Sequence, residues 1–215
     1  MQLAVFDLDG TITRHDTLVP YITGFLKPAP WRWLGLLAVV PSVGLYALRS
    51  TDRGRLKASL IKWTLGGATR AQIASWNERF VPALLREGLF ADAVARIAQH
   101  RSDGDRLVLM SASTDLYVPA VGRALGFDEV ICTGVRWEAD RLRGDLTTPN
   151  RRGDEKARCF SVLRGQHPGL TTVAYGNAGS DLPHLRLADH GYLVNGSSSA
   201  RREAATLGVE TVLWR

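Results

Sequence analysis

Four consecutive apolar residues, Leu3 to Phe6, end at Asp7, a pattern that predicts a buried strand delivering charge at its carboxyl end. The same pattern returns at Arg106 to Met110, ending at Ser111, and at Thr171 to Tyr175, ending in the turn Gly176 to Asp181. Shorter strands are predicted at Glu129 to Thr133, Gly191 to Val194 and Glu210 to Leu213. Between them the apolar spacing is helical: Ala91 to His100, Asp115 to Leu125, Asp154 to Leu163, a helix running to Leu187, and Ala200 to Leu207. Val135 to Leu146 interleaves charged residues with Trp137 and Leu142 around Gly144 and predicts an exposed hairpin.

Residues 14 to 85 interrupt this alternation. They are helical in character and divided by Pro20, Pro28, Pro30, Pro41, Gly66-Gly67 and Pro82, with Thr69 placed to cap a helix beginning near Ala71. The expected fold is therefore α/β: a three-layer, Rossmann-like, mainly parallel sheet formed by residues 1–13 and 86–215, with 14–85 inserted as a helical cap.

Composition adds bounds. The chain has 215 residues, 45% of them apolar and 22% charged, which excludes wholesale disorder and a pure coiled coil. Two cysteines, Cys132 and Cys159, exclude a disulfide framework and a four-thiolate zinc site. Met1 to Asp9 lack a basic region ahead of the apolar run, so no signal peptide is read there and a cytoplasmic protein is expected. The net charge of +6 is concentrated: residues 27 to 70 hold eight bases and one acid, Asp52, a net of +7 that leaves −1 for the rest. Such a field favours an anionic partner. The segment also carries the longest run without Asp, Glu, Lys, Arg or His, the 16 residues Trp33 to Leu48. That run is too short to span a bilayer, which needs roughly 20 apolar residues. A buried helical hairpin is the first expectation; a patch in peripheral contact with anionic membrane, at the inner face, is the second.

The residues at the strand ends suggest one chemistry. Asp7 and Asp9 are brought over a common cavity by the turn at Gly10, and two adjacent acids call for a cation, with Mg²⁺ suited to carboxylate, amide and phosphate oxygens. Ser111 offers a hydroxyl and Lys156 a point charge to phosphoryl oxygens. Gly10, Thr11, Ala112 and Ser113 complete the core side of a substrate site.

With Phe6-Asp7-Leu8-Asp9-Gly10-Thr11 followed in order by Ser111, Lys156 and Gly176 to Asp181, the whole chain resembles the haloacid dehalogenase-like phosphohydrolases, in the branch that includes phosphoserine phosphatases. The resemblance implies that Asp7 attacks phosphorus to form an aspartyl-phosphate and that Asp9 is the general acid and base. It implies that Ser111 and Lys156 hold the phosphoryl group, and that Asp7, Asp9, Asn177 and Asp181 surround Mg²⁺. Asn177 stands where the family usually has aspartate, which implies weaker metal binding. Asp16 stands where phosphoserine phosphatases have a glutamate that binds the substrate amine; a local helix-start role is the preferred reading of it. Arg53, Arg55 and Lys57 lie where cap bases could grip a second anionic group, with Arg55 and Lys57 the ones expected to do so. The cap also resembles that of bacterial phosphatidylglycerophosphate phosphatases, so the expected partner is a phosphorylated small molecule or a lipid phosphate. No nucleic acid is expected, and the protein would be a monomer or homodimer. Against this stand a non-catalytic phosphate- or head-group-binding module marked by Asn177 and, last, a nucleic-acid binder using the basic cap.

Overall fold

The computed structural model describes all 215 residues. Six parallel strands form one sheet in the order β3-β2-β1-β6-β7-β8: β1 (Gln2–Phe6), β2 (Arg106–Thr114), β3 (Glu129–Thr133), β6 (Thr171–Gly176), β7 (His190–Val194) and β8 (Glu210–Val212). The central strand β1 lies between β2 and β6, so Asp7 leaves the sheet flanked by the ends of both neighbours. Such central strands are apolar throughout because both faces are covered. One face carries Leu3, Val5, Val108, Met110, Phe160 and Leu193; the other carries Ala4, Phe6, Leu107, Leu109, Val173 and Tyr175, and is continuous with cap residues such as Tyr21 and Ile61. The covering helices are α5 (Ala91–Ser102), α6 (Val118–Leu125), α7 (Asp154–Gln166), α8 (Leu182–Leu185) and α9 (Ser198–Thr206).

β2 runs beyond Ser111 to Thr114, with its pairing to β3 shifting between Met110 and Thr114. The helix expected from Asp115 starts only at Val118, with Pro119 in its first turn. The helix through Leu187 is the single turn α8, entered by a short 3-10 helix, Gly179–Asp181.

The chain leaves the sheet layer at Thr13 and returns at Leu89. Arg14 N donates to Gly88 O (2.8 Å) and Phe90 N to Ile12 O (3.0 Å), closing the neck of the insertion. The inserted elements are α1 (Leu18–Leu26), a 3-10 helix (Pro30–Leu34), α2 (Gly35–Ala47), α3 (Arg53–Thr64) and α4 (Arg70–Glu87). Thr69 caps α4 by a reciprocal pair of hydrogen bonds with Gln72.

Three expectations are corrected. Pro41 and Pro82 lie inside α2 and α4 and do not divide them. Both are exposed, so the carbonyl one turn earlier can be met by water. The hairpin of β4 (Val135–Glu138) and β5 (Arg141–Leu146) exists, but it is not simply exposed: it packs beneath α3, with Leu142 buried and bonded through its backbone to Gly67 and Ala68. The apolar run does not form a buried hairpin either. α2 and α3 pair, yet only Val39 of α2 is buried.

Candidate active site

At the end of β1, Leu8 O receives the amides of Thr11, Ile12 and Thr13, and Gly10 takes φ +74° to make that reversal. A side chain at Gly10 would be doubly opposed: its backbone conformation disfavours one, and a Cβ would collide with Nδ2 of Asn177. The tight turn therefore packs Asp7 and Asp9 against the Gly176 turn at the end of β6.

Lys156, in the first turn of α7 and 2% exposed, reaches between two strand ends. Its Nζ donates to Asp7 Oδ1 at 2.7 Å and to Asp181 Oδ1 at 2.8 Å. Burial alone would depress its pKa; the charges of Asp181 and Asp7 outweigh that and raise it. Thr11 Oγ1 donates to the other oxygen of Asp7, at 3.0 Å. Burial pushes the Asp7 pKa up, and although Lys156 opposes this, the negative charges of Asp181 and Asp9 reinforce it. Asp181 is driven down instead. Burial resists, but Lys156 prevails, helped by the amides of Asn177 and Ala178, which both donate to its Oδ2.

Asp9 is held by a different set. Its Oδ1 accepts from Thr17 N (2.8 Å) and Thr17 Oγ1 (2.6 Å), and its Oδ2 from Ser113 Oγ (2.6 Å). Because the Thr17 hydroxyl gives its proton to Asp9, the Tyr117 hydroxyl 2.8 Å away is the donor to Thr17. Burial raises the Asp9 pKa against these hydrogen bonds.

A pocket of about 150 Å³ brings together Asp7, Asp9, Asp16, Ala112, Ser113, Lys156, Asn177 and Asp181 with Lys57 from the cap. Lys57 Nζ donates to Ala112 O (2.6 Å) and Asn150 Oδ1 (2.7 Å), leaving one of its three donors free. Burial brings its pKa down to about 8, opposed by Asp9 and Asp16. Asp16 accepts the amide of Leu18, the first residue of α1, at 3.0 Å, so it serves the helix start while still lining the pocket.

Two expected groups sit elsewhere. Arg55 lies outside this pocket, in an adjoining cleft of about 740 Å³. Ser111 is fully buried and does not line the pocket, and its hydroxyl accepts the Ser113 amide at 3.0 Å. In their place the structure supplies Arg53, Asn150 and Arg152, which line both the pocket and the cleft, and Thr17 and Tyr117, which hold Asp9. Arg53 was legible, since it stands four residues before Lys57 on the same helical face, whereas Arg55 lies between them. The run Asn150-Arg151-Arg152 ahead of the Asp154 helix start was a basic signal on the loop leading to Lys156.

The donor set is compatible with Mg²⁺. No cluster of three or more His, Cys, Asp or Glu side chains forms a closed metal cage. All three carboxylates are engaged within the protein, Asp7 with Lys156 and Thr11, Asp9 with Thr17 and Ser113, Asp181 with Lys156 and two amides. Each Asp7 oxygen accepts a single hydrogen bond and keeps a lone pair, and the amide of Asn177, seated against Gly10, adds a neutral side-chain oxygen in the same pocket. Mg²⁺ commonly takes one or two protein oxygens and fills its shell with water and substrate phosphate. Such an ion would offset the burial and, with it, the neighbouring carboxylate charge that raise Asp7.

The model of the haloacid dehalogenase-like hydrolase family matches residues 4–186. The chain is 36% identical over 199 residues to protein CicA of Caulobacter vibrioides, covering 89% of this chain and 86% of that one. Its fold is similar to that of a Bordetella pertussis protein of unknown function, with a TM-score of 0.77, 22% identity, and 98% and 97% of the two chains covered. It is also similar to that of a probable phosphoserine phosphatase from Vibrio cholerae, with a TM-score of 0.72, 15% identity, and 98% and 60% covered.

Proposed function

The chain belongs to the haloacid dehalogenase-like hydrolase family, and from that premise we propose that it is a Mg²⁺-dependent phosphomonoester hydrolase working through Asp7. The observation that carries this is the buried Lys156 ammonium clamped between Asp7 and Asp181, in one pocket with Asp9. A lone surface carboxylate pair would need no such counter-charge.

In this reading a carboxylate oxygen of Asp7 attacks phosphorus while the bond from phosphorus to the ester oxygen breaks. Asp9, whose raised pKa suits it to carry a proton, gives that proton to the departing alcohol. Asp9 then takes a proton from water as the water oxygen attacks the aspartyl-phosphate, releasing phosphate and restoring Asp7. Lys156 offsets charge on Asp7, and the free donor of Lys57 together with Arg53 and Arg152 faces the incoming dianion. Thr17 and Ser113 hold Asp9 in place, and Asp181 positions Lys156. Asp7 and Asn177 would hold Mg²⁺, which when bound supplies positive charge and polarises the phosphoryl oxygens.

The cleft beside the pocket, with Arg53 and Arg152 at the junction, leaves room for a leaving group larger than phosphate. It accommodates a small phosphorylated metabolite or the head group of a lipid phosphate, the substrate class suggested by the cap's resemblance to phosphatidylglycerophosphate phosphatases. Asp7→Asn should lower phosphate release with Mg²⁺ by at least about three orders of magnitude while the circular-dichroism spectrum and melting temperature hold. Release at background from the unaltered protein across phosphoserine, a sugar phosphate and phosphatidylglycerophosphate would overturn this reading in favour of a phosphate-binding module.

A further inference from the structure

Helix α2 is amphipathic in reverse. Its polar side chains point inward: Ser42 Oγ donates to Ser59 Oγ of α3 at 2.8 Å, and the Tyr46 hydroxyl accepts Arg53 Nε at 2.8 Å. Val39, its one buried residue, lies on that same side. The outward side presents Leu37, Val40, Val43 and Leu45, each 49–69% exposed, continued at the two ends by Leu34 and Leu48 at 69% and 76%. Between Trp33 and Leu48 there is no charged residue. A surface helix that faces only water places its polar residues outward.

One end of this apolar ridge is bordered by tryptophans. Gly35, at the start of α2, lies against the backbone carbonyl of Trp63 at the end of α3, and Trp31, Trp33 and Trp63 are 67%, 38% and 49% exposed there. Indole rings with one apolar and one polar side favour the boundary between water and hydrocarbon. Bases flank both ends: Lys27, Arg32 and Lys62 near the tryptophans, Arg49 and Arg53 near Leu48. No acid lies between Lys27 and Asp52, and Asp52 is itself engaged, capping α3 through the Arg55 amide.

Charge selects among the possible coverings. A second copy docked on this face would bring two units of +7 together, an arrangement that like-charge repulsion opposes. An anionic bilayer meets both requirements at once, taking the Leu and Val side chains into its acyl boundary and the bases onto lipid phosphates. No helix is long and apolar enough to cross a membrane. The 13 residues of α2 extend about 20 Å, which suits a helix lying in the plane of the interface.

We propose that the outward face of α2 seats this protein on the surface of an anionic bilayer, with the tryptophans and the flanking bases in the head-group layer. Arg53 ties this seat to the catalytic end of the cap, since it bonds Tyr46 of α2 and lines both the cleft and the pocket.

Co-sedimentation of the full chain with vesicles tests this. Vesicles of phosphatidylcholine with about a third phosphatidylglycerol should bind at low salt at least about tenfold more tightly than phosphatidylcholine alone, and lose that advantage at high salt. The double substitution Leu37→Glu with Val40→Glu should weaken binding at least about tenfold, leaving melting temperature and vesicle-free hydrolysis of p-nitrophenyl phosphate unchanged. Lack of association at low salt, or association that the double variant retains, would overturn the proposal. So would a vesicle-free dimer that the same substitutions dissociate, which would assign the face to a second copy. Asp7→Asn should bind vesicles like the unaltered protein, so absence of hydrolysis and absence of docking are separate results.

Discussion

The catalytic pocket and the outer face of α2 handle the cost of water exposure in opposite ways. In the pocket, charge is withdrawn from water and matched inside the protein: Lys156 is 2% exposed and meets Asp7 and Asp181, while both oxygens of Asp9 accept hydrogen bonds. On α2, apolar side chains are left in water with no covering from the chain itself. The first arrangement is internally complete apart from what a phosphate and a cation would add. The second is incomplete without something outside the molecule. Burial in the pocket is therefore tied to folding, and exposure on α2 is not.

The largest effect that should follow is at Lys156. Lys156→Met leaves Asp7 and Asp181 buried without their counter-charge, and removing one partner of a buried ion pair typically costs about 3–5 kcal/mol. Urea unfolding should show that loss as a lower midpoint with an unchanged slope. Adding Asp7→Asn should return part of it, because one of the two stranded carboxylates is then neutral. A midpoint unaffected by Lys156→Met would mean that the pocket is not coupled to folding.

A smaller effect lies one turn beyond the same clamp. His184 is fully buried on α8, neither ring nitrogen has a hydrogen-bond partner, and its ring centroid is 6.1 Å from that of Phe160. Burial, followed by the charge of Lys156, brings its pKa from 6.5 down to about 3. The folded protein thus keeps this imidazole neutral while the unfolded chain protonates it below pH 6.5. Its contribution is whole above that value and declines as pH falls toward 3, by about 2 kcal/mol between pH 7 and pH 5. Asp7, with its pKa raised, acts in the opposite sense over part of this range. The measurement is therefore the stability difference between the unaltered protein and His184→Leu, which should move by about 2 kcal/mol in favour of the variant on going from pH 7 to pH 5. A difference independent of pH would show that His184 is not held neutral.

Both regions differ also in how far the sequence announced them. Asp7 and the Gly176 turn were legible because a buried strand is a run of apolar residues, and the first polar residue after it marks its end. Thr69 marked the start of α4 by the same local logic. Lys57 and Arg55 looked equivalent as bases, and only the phase of α3 separates the one that enters the pocket from the one that does not. Thr17 and Tyr117 were not legible, because the pair that holds Asp9 forms only once the cap is folded over the sheet. The run Trp33 to Leu48 was misread as buried since an apolar sequence reads alike whether protein or something else covers it. Its inward Ser42 and Tyr46 carried the contrary sign, visible only once the helix was phased.

The smallest effect compares neighbours on α2 itself. Val39 is 5% exposed and Val40 is 61% exposed, one residue apart on one helix. Val39→Ala removes buried methyl groups and should cost about 1.5–2.5 kcal/mol. Val40→Ala removes methyl groups that already meet water and should shift stability by less than about 0.5 kcal/mol, with a slight gain from the higher helix propensity of alanine. Urea midpoints of the two variants, taken without lipid, read the contrast directly. Equal losses would mean that Val40 is covered in the free protein, by a second copy or by a different packing of the cap. Unequal losses in the stated order would mean that folding gains nothing from the outer valine, and that its apolar character serves a contact made after folding is complete.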